Sequence, residues 1–533
     1  MIRDSLATSL RAALLDEGIE PPAEIHLERP ARREHGDWSS NLAMATAKAN
    51  GRVPRDLAGA LVDRINAAPP PHVDRAEIAG PGFVNFHLHE TWLHDVLTDV
   101  VAGGEDGYAR LDLGAGTKVN VEFVSANPTG PLHAGGGRWA AFGDSLCRIL
   151  ERCGHEVHRE YYLNDRGVQM GLFGASLAAR KAGTDLPEDG YAGEYIVEWA
   201  AEMPDGVDPA AWGYERVKRD LRDSLAGINV EFDTWSSEQA LADSGEVDAA
   251  LADLRARGVV YEQDGATWLR TTDFGDDKDR VLVKSYGEPT YLLPDIAYHR
   301  NKYARGFDLL IDVWGSDHHG YVARLKAGVQ GLGHAPEELE IILGQLVSLV
   351  RGGEEVRLSK RAGTLVLLDD VVAAVGSDVA RLTFLLQSLD TRQTIDLDLI
   401  TSQSNENPVF YVQYANARIH SIGRKVAEAG IERRPLDGVD LSLLVHEREL
   451  DVLRKLDELP GILALACTDR APHKVTTWVR ELADRFHGFY HDCYVIGDVP
   501  PELTQARLWL VESARIGLSI GLDLLGVSAP EAM

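Results

Sequence analysis

The stretch from Val121 to Leu146 reads VEFVSANPTGPLHAGGGRWAAFGDSL: an apolar strand, a loop with two prolines and a helix in direct succession. The first turn of that helix carries three glycines, Gly135–Gly137. Each glycine inside a helix costs about 1 kcal/mol relative to alanine, so three in a row do not serve helix stability. Because they lack β-carbons, they let a ligand come close to the backbone.

This strand, loop and helix have two interpretations. In an open parallel sheet, ligands bind beyond the carboxyl ends of the strands, where helix N-termini present N–H groups and a positive dipole end. A phosphate would then lie against the glycines, and His133 would donate a hydrogen bond to it as charge develops. The alternative is that the glycines only let helix and strand pack closely, with His133 as a turn residue. The segment alone leaves both interpretations open.

The rest of the chain predicts three domains. From residue 118 to about 401, the apolar runs VNVEFV, EVHREYYL, DLLIDVWG and LEIILGQL alternate with helical patterns, which predicts an α/β domain built on a parallel sheet. Residues 173–264, approximately, are helical and charged and are predicted to be an insertion. Two helices and the strand IAGPGFVNFHL predict an α+β domain before this region, and the periodicity beyond residue 406 is helical. The predicted domains are therefore 1–113, 114–404 and 405–533.

Composition narrows the class of protein. The 533 residues are 44% apolar and 26% charged, which is ordinary for a globular chain of several domains. No apolar run approaches the length of a membrane span, and the N-terminal MIRDSLATSLRAALLDEG is amphipathic rather than a signal sequence, so we expect a cytoplasmic protein. Four scattered cysteines predict neither disulfides nor structural zinc.

The net charge of -29 argues, taken alone, against a nucleic-acid partner, because such binding relies on lysine and arginine neutralising phosphates. A global sum does not describe local patches, however. The prediction for a nucleic-acid-binding chain of this charge is a positive potential confined to one face.

A second charged landmark lies more than two hundred residues after the glycines. The segment EEVRLSKRAGTLVLLDD places Ser359, Lys360 and Arg361 before a glycine. A basic loop of this kind can close on a triphosphate and stabilise a leaving pyrophosphate by electrostatics alone. The alternative is a solvated surface loop, which is the usual structure of a charged run.

Together, the HAGG and RLSKR segments resemble the two signatures of class I aminoacyl-tRNA synthetases. The segments VEFVSANPTGPLHAGG, REYYLNDRGVQM, GDDKDRVLVKSYGEPTYLLPDIAYH and WGSDHHGYVARLKAG resemble, more narrowly, the arginyl-tRNA synthetase family. The resemblance extends to HGDWSSNLAMATAK, NPVFYVQYANARIHSI and LLGVSAPEAM, and so covers essentially the whole chain. It implies a Rossmann-like catalytic domain, an N-terminal tRNA-binding domain and a helical C-terminal anticodon-binding domain.

The resemblance also implies a set of site residues. The residues it assigns to arginine are Glu122, Ser125, Asn127, Tyr291, Asp295 and His319. Those it assigns to ATP are His133, Gly135, Gly136, Gly315, Asp317, His318 and Lys360, and those it assigns to catalysis are His133, Gly136, Ser359 and Lys360. Those it assigns to tRNA are Trp38, Asn41, Tyr414 and Arg418.

Each assignment has a purely structural alternative. Two carboxylates suit a guanidinium, which is planar and permanently charged. Without the resemblance, Glu122 would be an exposed residue of an alternating strand and Asp295 a helix cap. Trp38 would be a core residue beside a helix N-cap, and the aromatic residues near Tyr414 would be core aromatics beside a polar face. A metal site at the D-H-H of Asp317–His319 is disfavoured, since adjacent histidines rarely converge on one ion.

The activity that the resemblance implies is ligation of arginine to tRNA(Arg) through an arginyl-adenylate, with ATP as substrate and Mg2+ accompanying it. In this family the first step characteristically requires bound tRNA, and a monomer is expected. The rival enzyme is another H-x-G-H nucleotidyl transferase or another class I synthetase, but two acids would not match a neutral or anionic substrate.

One position departs from the family pattern. The second histidine of the H-x-G-H signature is Gly136 here. Loss of such a transition-state donor typically costs ~3 kcal/mol, or about a hundredfold in rate. Three hypotheses follow: a neighbour such as Arg138 compensates, the enzyme is slower, or the chain is a catalytically degenerate tRNA-binding paralogue. The intact Ser359–Lys360 pair favours compensation.

Overall fold

The computed structural model describes residues 2–30, 32–345, 347–356, 366–400 and 407–532. The chain forms two compact units. One contains Met1–Gly104, Ile422–Asp457 and Arg485–Ile516, and the other contains Glu105–Ser421, Glu458–Asp484 and Gly517–Met533. The division into domains at 113/114 and 404/405 stays a prediction.

The N-terminal region is an α+β fold with a three-stranded antiparallel sheet in the order β1-β3-β2. Leucines on α1 and α3 pack against it as a buried core. The strand predicted in IAGPGFVNFHL with a Gly-Pro-Gly entry is β3, and its Gly80–Gly82 entry is the turn that separates it from β2. The elements are α1 (Ile2–Asp16), β1 (Trp38–Ser40), α2 (Leu42–Ala47), α3 (Pro54–Ala67), β2 (Val73–Ala79), β3 (Phe83–Leu88) and α4 (Thr91–Gly107).

The central region is built on a five-stranded parallel sheet in the order β11-β10-β4-β5-β6. This confirms the predicted α/β class with a parallel sheet. The strands of the region are β4 (Lys118–Glu122), β5 (Glu156–Leu163), β6 (Thr234–Ser237), β7 (Val260–Gln263), β8 (Ala266–Leu269), β9 (Arg280–Val283), β10 (Leu309–Gly315), β11 (Leu339–Gly344), β12 (Val347–Arg351), β13 (Glu354–Val356) and β14 (Gln393–Asp396).

Helices join these strands, as the alternating pattern predicts. They are α5 (Ala134–Arg152), α6 (Val168–Ala182), α7 (Glu194–Glu202), α8 (Pro209–Ala226), α9 (Glu238–Asp243), α10 (Glu246–Ala256), α11 (Leu292–Ala304), α12 (His319–Gly331), α13 (Leu368–Val375), α14 (Ser377–Phe384) and α15 (Leu397–Ile400). The segment predicted to be a helical insertion also contains β6, which extends the main sheet beside β5. Of two small sheets, β7-β8-β9 lies between β6 and β10 in the sequence, and β13-β12-β14 follows β11.

The C-terminal region is helical, as predicted. Its helices are α16 (Pro408–Glu428), α17 (Glu447–Asp457), α18 (Leu459–Thr468), α19 (His473–Asp492) and α20 (Pro501–Leu524). Short 3-10 helices elsewhere in the described chain are Arg33–His35, Lys48–Asn50, Thr271–Phe274, Ser316–His318, Pro336–Glu338, Leu436–Gly438 and Leu441–Leu443. Of the helices described, none is both long and apolar enough to cross a bilayer. The four cysteines are free and buried.

Both faces of β4 are buried, which explains why this strand does not show a solvent-facing side. Val119, Val121 and Phe123 lie in the core, and the polar Asn120 and Glu122 on the other face are also buried. Parallel sheets covered by helices on both sides bury their strands in this way. The alternative that Glu122 is an exposed residue of an alternating strand is therefore wrong.

Candidate active site

A cavity of about 1160 Å³ opens at the carboxyl edge of the parallel sheet. Parallel strands end together at this edge, and ligands bind there in open α/β sheets. Most of the predicted arginine and ATP residues line this cavity: Glu122, Ser125, Asn127, His133, Gly135, Gly136, Asp295, Gly315, Asp317 and His318.

The chain leaves β4 through a strained turn. Val124 has φ 68° and Ser125 has φ 38°, both in the left-handed region that non-glycine residues rarely adopt. For a β-branched valine this conformation is an outlier, and such strain is concentrated at functional sites. The turn directs the Ser125 hydroxyl back to Glu122, whose Oε1 accepts its hydrogen bond at 2.9 Å.

His133 is the N-cap of α5, and its role as a cap fixes the tautomer of its ring. Nδ1 accepts a hydrogen bond from the Gly136 backbone N–H at 3.1 Å. The neutral ring therefore carries its proton on Nε2. Nε2–H is the donor that a phosphoryl oxygen at this helix N-terminus requires.

Gly136 is packed where the family signature has its second histidine. A β-carbon at this position would lie 2.5 Å from Cδ1 of the buried Leu132. A side chain here requires the Leu132 side chain to shift. Gly136→His is therefore not a simple restoration of the signature in this chain, because Leu132 must move as well.

Arg138 does not supply the missing donor, so the hypothesis of compensation is wrong for this neighbour and stays a hypothesis for others. Its side chain is fully buried, and the cavity wall does not include it. Nη1 donates to the carbonyls of Gln345 and Thr391 at 3.1 and 3.0 Å, and Nη2 donates to that of Ser388 at 2.7 Å. The guanidinium instead ties α5 to Gln345, between β11 and β12, and to the loop before β14.

Three carboxylates stand in register across the sheet below the cavity. Glu122 on β4 is paired with Asp312 on β10 and with Glu160 on β5. All three side chains are buried. Like charges directly opposite one another on neighbouring strands repel, so this carboxylate row needs cations.

Helix α11 supplies cations to the carboxylate row. Lys302, which is fully buried, donates from Nζ to Glu122 Oε2 at 2.6 Å and to Asp312 Oδ1 at 3.0 Å. His299 donates from Nε2 to Asp312 Oδ2 at 2.7 Å and from Nδ1 to the Asp295 carbonyl at 2.8 Å. Because both acceptors lack protons, His299 is the doubly protonated imidazolium in this arrangement.

The pKa values of the carboxylate row follow from this pairing. Burial raises the pKa of Glu122, and the Lys302 ammonium acts in the opposite direction. Burial alone would lower the pKa of Lys302, but Asp312 and Glu122 outweigh it and hold that pKa above its usual value. Burial likewise opposes the charged form of His299, and Asp312 outweighs it, so the pKa of His299 is raised.

Asp295 is half-buried in the first turn of α11 and lines the cavity. Burial raises its pKa to about 6, against the effect of the Tyr321 hydroxyl, which donates a hydrogen bond to Oδ2. The alternative of a simple helix cap does not account for this bond. Asp295 is a carboxylate poised to ionise fully when a cation binds.

Other predicted site residues lie at the edge of the cavity or are exposed near it. The Asn127 amide donates to Gln169 Oε1 at 3.0 Å. Gly315 ends β10, and Asp317 and His318 follow it in an exposed 3-10 turn. Tyr291 and His319 are exposed and are not part of the cavity wall; Tyr291 precedes α11, one turn before Asp295.

The predicted catalytic residues Ser359 and Lys360 lie outside the described residues. The next described residues along the chain form hydrogen bonds with the residues on either side of His133. The Val366 carbonyl accepts from Ala134 N–H at 3.0 Å, and the Leu368 N–H donates to the Leu132 carbonyl at 2.9 Å. The described residues Val366–Leu368 therefore lie against the N-terminus of α5.

The predicted tRNA residues lie in both compact units. Trp38 is buried in the N-terminal core, with the Arg29 guanidinium 4.8 Å from its ring centroid, and Asn41 stands at the N-terminus of α2. On α16, the Arg418 guanidinium lies 4.4 Å from the ring centroid of Tyr414. Cation and ring together form a unit on which a base could stack.

Sequence reasoning missed several residues of the site: Lys302, His299, Asp312, Glu160, Tyr321 and Arg392. A signal for two of them was present. His299 and Lys302 follow Asp295 by four and seven residues, so all three share one face of α11. The pairing of Asp312 and Glu160 with Glu122 depends on strand register, which no local pattern specifies.

Models of three known protein domains match this chain. The profile described as "Arginyl tRNA synthetase N terminal domain" matches residues 1–88. That described as "tRNA synthetases class I (R), catalytic domain" matches 102–188 and 215–389, and "DALR anticodon binding domain" matches 412–533. The three matches follow one another along nearly the whole chain.

Full-length relatives agree with these matches. The arginine–tRNA ligases of Carboxydothermus hydrogenoformans and Frankia alni are 45% and 46% identical to this chain, each over 100% of it and 99% of the relative. The solved Thermus thermophilus arginyl-tRNA synthetase shares its fold, with a TM-score of 0.76 over 100% of both chains at 23% identity. The chain therefore belongs to the arginyl-tRNA synthetase family.

Proposed function

We propose that the chain is an arginine–tRNA ligase, which converts ATP, L-arginine and tRNA(Arg) to arginyl-tRNA(Arg), AMP and diphosphate. One observation carries the proposal: Glu122, Asp295 and His133 line a single cavity at the carboxyl edge of the parallel sheet. Two carboxylates suit the guanidinium, and the histidine at a helix N-terminus suits a phosphate. Membership of the family supports the same reaction.

Arginine would lie at the acidic end of the cavity. Its guanidinium has five donors in a plane and pairs with Asp295 and with Glu122, whose second oxygen is held by Lys302. Ser125 and Asn127 are proposed to hold the amino and carboxyl groups. Tyr291, which precedes α11, and His319, which begins α12, are proposed to complete the pocket when the substrate is bound.

ATP would lie along the N-terminus of α5, with adenosine toward Gly315, Asp317 and His318. The arginine carboxylate oxygen attacks the α-phosphorus, the bond from that phosphorus to the bridging oxygen breaks, and pyrophosphate leaves with the electron pair. His133 donates from Nε2 to the α-phosphoryl oxygen.

In the same step, Ser359 and Lys360 are proposed to hold the β- and γ-phosphates. Mg2+ would enter with ATP on its phosphate oxygens and neutralise their charge. A terminal ribose hydroxyl of tRNA then attacks the adenylate carbonyl, and AMP leaves.

The tRNA is proposed to contact the helical C-terminal region through Tyr414 and Arg418 and the N-terminal region near Asn41 and Trp38. Because Trp38 is buried, it would shape this surface from beneath rather than contact a base. We place the reaction in the cytoplasm and the enzyme as a monomer. The three-domain division at 113/114 and 404/405 remains part of this proposal.

Aminoacylation of total tRNA with each amino acid tests the proposal. We expect the purified full chain to charge tRNA with arginine alone, and to show pyrophosphate exchange with arginine only when tRNA is present. Charging with another amino acid would overturn the assignment to arginine. Absence of any charging would favour the degenerate paralogue, an alternative that no observation on the described residues supports.

Arginine affinity should weaken in mild acid. Only ionised Asp295 attracts the guanidinium, and with a pKa of about 6 this carboxyl is mostly protonated at pH 5. We expect the Kd of arginine to rise about tenfold between pH 7.5 and pH 5, as measured by calorimetry. Asp295→Asn should flatten this profile, since it removes the titrating group. A flat profile in the unmodified protein would contradict the role of Asp295.

A further inference from the structure

The cavity poses an electrostatic problem for a nucleoside triphosphate. Four described carboxylates line it: Asp295 and Asp317, together with Glu122 and Asp312, which are paired with Lys302 and His299. Of all the described residues of its wall, Arg392 is the one arginine or lysine. The signature position that would supply a second donor is a glycine, and the nearby Arg138 is occupied by three carbonyls.

Hydrogen bonds fix the backbone of the residues before and after Arg392. On the N-terminal side, the carbonyls of Thr391 and Ser388 accept from the buried Arg138. On the C-terminal side, Gln393 begins β14 in register with Val347 of β12, and its amide donates to the Thr383 carbonyl at 2.6 Å. The backbone is therefore anchored on either side of Arg392, while the side chain itself is exposed.

Besides Arg392, the same wall offers a phosphate a hydroxyl donor, and an indole ring completes the wall. Ser348 adds a hydroxyl, and Trp139 of α5 adds a flat apolar surface. Trp139 reaches this place because residue 344 is a glycine: a β-carbon there would lie 1.8 Å from Cζ3 of the indole. The wall is thus shaped around α5, the helix whose N-terminus carries His133.

We propose that Arg392 is a phosphate-binding residue that pairs with the β- and γ-phosphates of ATP and with the departing pyrophosphate. Its guanidinium would form a bidentate contact with phosphate oxygens and so supply donor groups that Gly136 cannot. The inference rests on the proposed function, because it takes ATP as the nucleotide of this cavity. The proposal adds a cation, next to β14, to those of the RLSKR segment.

Equilibrium binding of ATP, inorganic pyrophosphate and AMP to the full chain tests the proposal, without tRNA. In Arg392→Gln we expect the Kd values of ATP and pyrophosphate to rise about tenfold or more, because one charge-assisted pair is lost. The Kd of AMP should stay within twofold, since AMP lacks the two phosphates. Arg392→Lys should retain part of the affinity, because it keeps the charge but not the fork of donors.

Arg219→Gln is the matched control, because Arg219 is an exposed arginine of α8 outside the cavity wall. It should leave all three Kd values unchanged. The proposal is overturned if Arg392→Gln binds ATP within twofold of the unmodified protein. It is also overturned if AMP weakens as much as ATP, if arginine affinity falls in parallel, or if only tRNA affinity changes.

A different experimental result would show that the proposed function is wrong. The unmodified protein would then not charge tRNA with arginine, whereas the comparison of ATP with AMP would still report on Arg392. Under tRNA-dependent pyrophosphate exchange, the same variant should raise the KM of ATP and leave the KM of arginine unchanged.

Discussion

Lys302→Met should lower the free energy of opening of the central sheet by about 3–5 kcal/mol, the range found when one partner of a buried ion pair is removed. The ammonium is fully buried and contacts both Glu122 and Asp312. Without it, two carboxylates face each other across neighbouring strands in a medium of low dielectric. Methionine fills a similar volume, so the loss would come from charge rather than from a cavity.

Hydrogen exchange measured by mass spectrometry on peptides from β4 and β10 is the appropriate measurement. It reports the opening of this sheet and does not require a chain of two units to unfold in one step. Lys302→Arg should retain most of the protection. Lys278→Met, at an exposed lysine outside the carboxylate row, should change it by less than about 0.5 kcal/mol.

The pH dependence of the destabilisation in Lys302→Met distinguishes a charge effect from a packing defect. In Lys302→Met the uncompensated carboxylates would have raised pKa values in the folded state, so the folded protein would bind more protons than the unfolded one. The loss in the free energy of opening, relative to the unmodified protein, should therefore shrink as pH falls from 8 toward 5. Addition of Glu122→Gln should recover part of it, because it removes one of the repelling charges. A deficit below 1 kcal/mol at pH 8 would refute the ion-pair account.

Which parts of this site the sequence could predict depended on the range of the interactions involved. The end of β4, the glycines of α5 and the acid of α11 are local patterns, and all three reach one cavity. The carboxylate row is not local: Glu122, Asp312 and Glu160 meet only because three distant strands align in one register. Such alignment follows from the packing of the whole sheet, which no local pattern shows.

Arg138 and Arg392 show the same limit at the level of single arginines. Next to a signature glycine, Arg138 was a reasonable candidate for a phosphate contact, but it is fully buried and donates to three backbone carbonyls. Arg392 stands in an ordinary polar stretch, DTRQT, and reaches the cavity only because β14 pairs with β12. Burial decides which arginine can meet a ligand, and burial is a property of the folded chain.

Asp295→Asn should lower kcat/KM for arginine by about 100- to 1000-fold, or ~3–4 kcal/mol, within the range for loss of one partner of a desolvated charge pair. Asparagine keeps the shape and can still accept from the Tyr321 hydroxyl, so the loss would report the charge.

Citrulline, the neutral isostere of arginine, makes the test of Asp295 specific. The unmodified site should reject it, because Asp295 would then be left without a cation, and Asp295→Asn should narrow the ratio of arginine to citrulline. The KM of ATP should not change, and Glu337→Gln, at an exposed acid outside the cavity, should leave both substrates unaffected. An arginine kcat/KM within threefold of the unmodified enzyme would remove Asp295 from the guanidinium pocket and leave Glu122 as its remaining anchor.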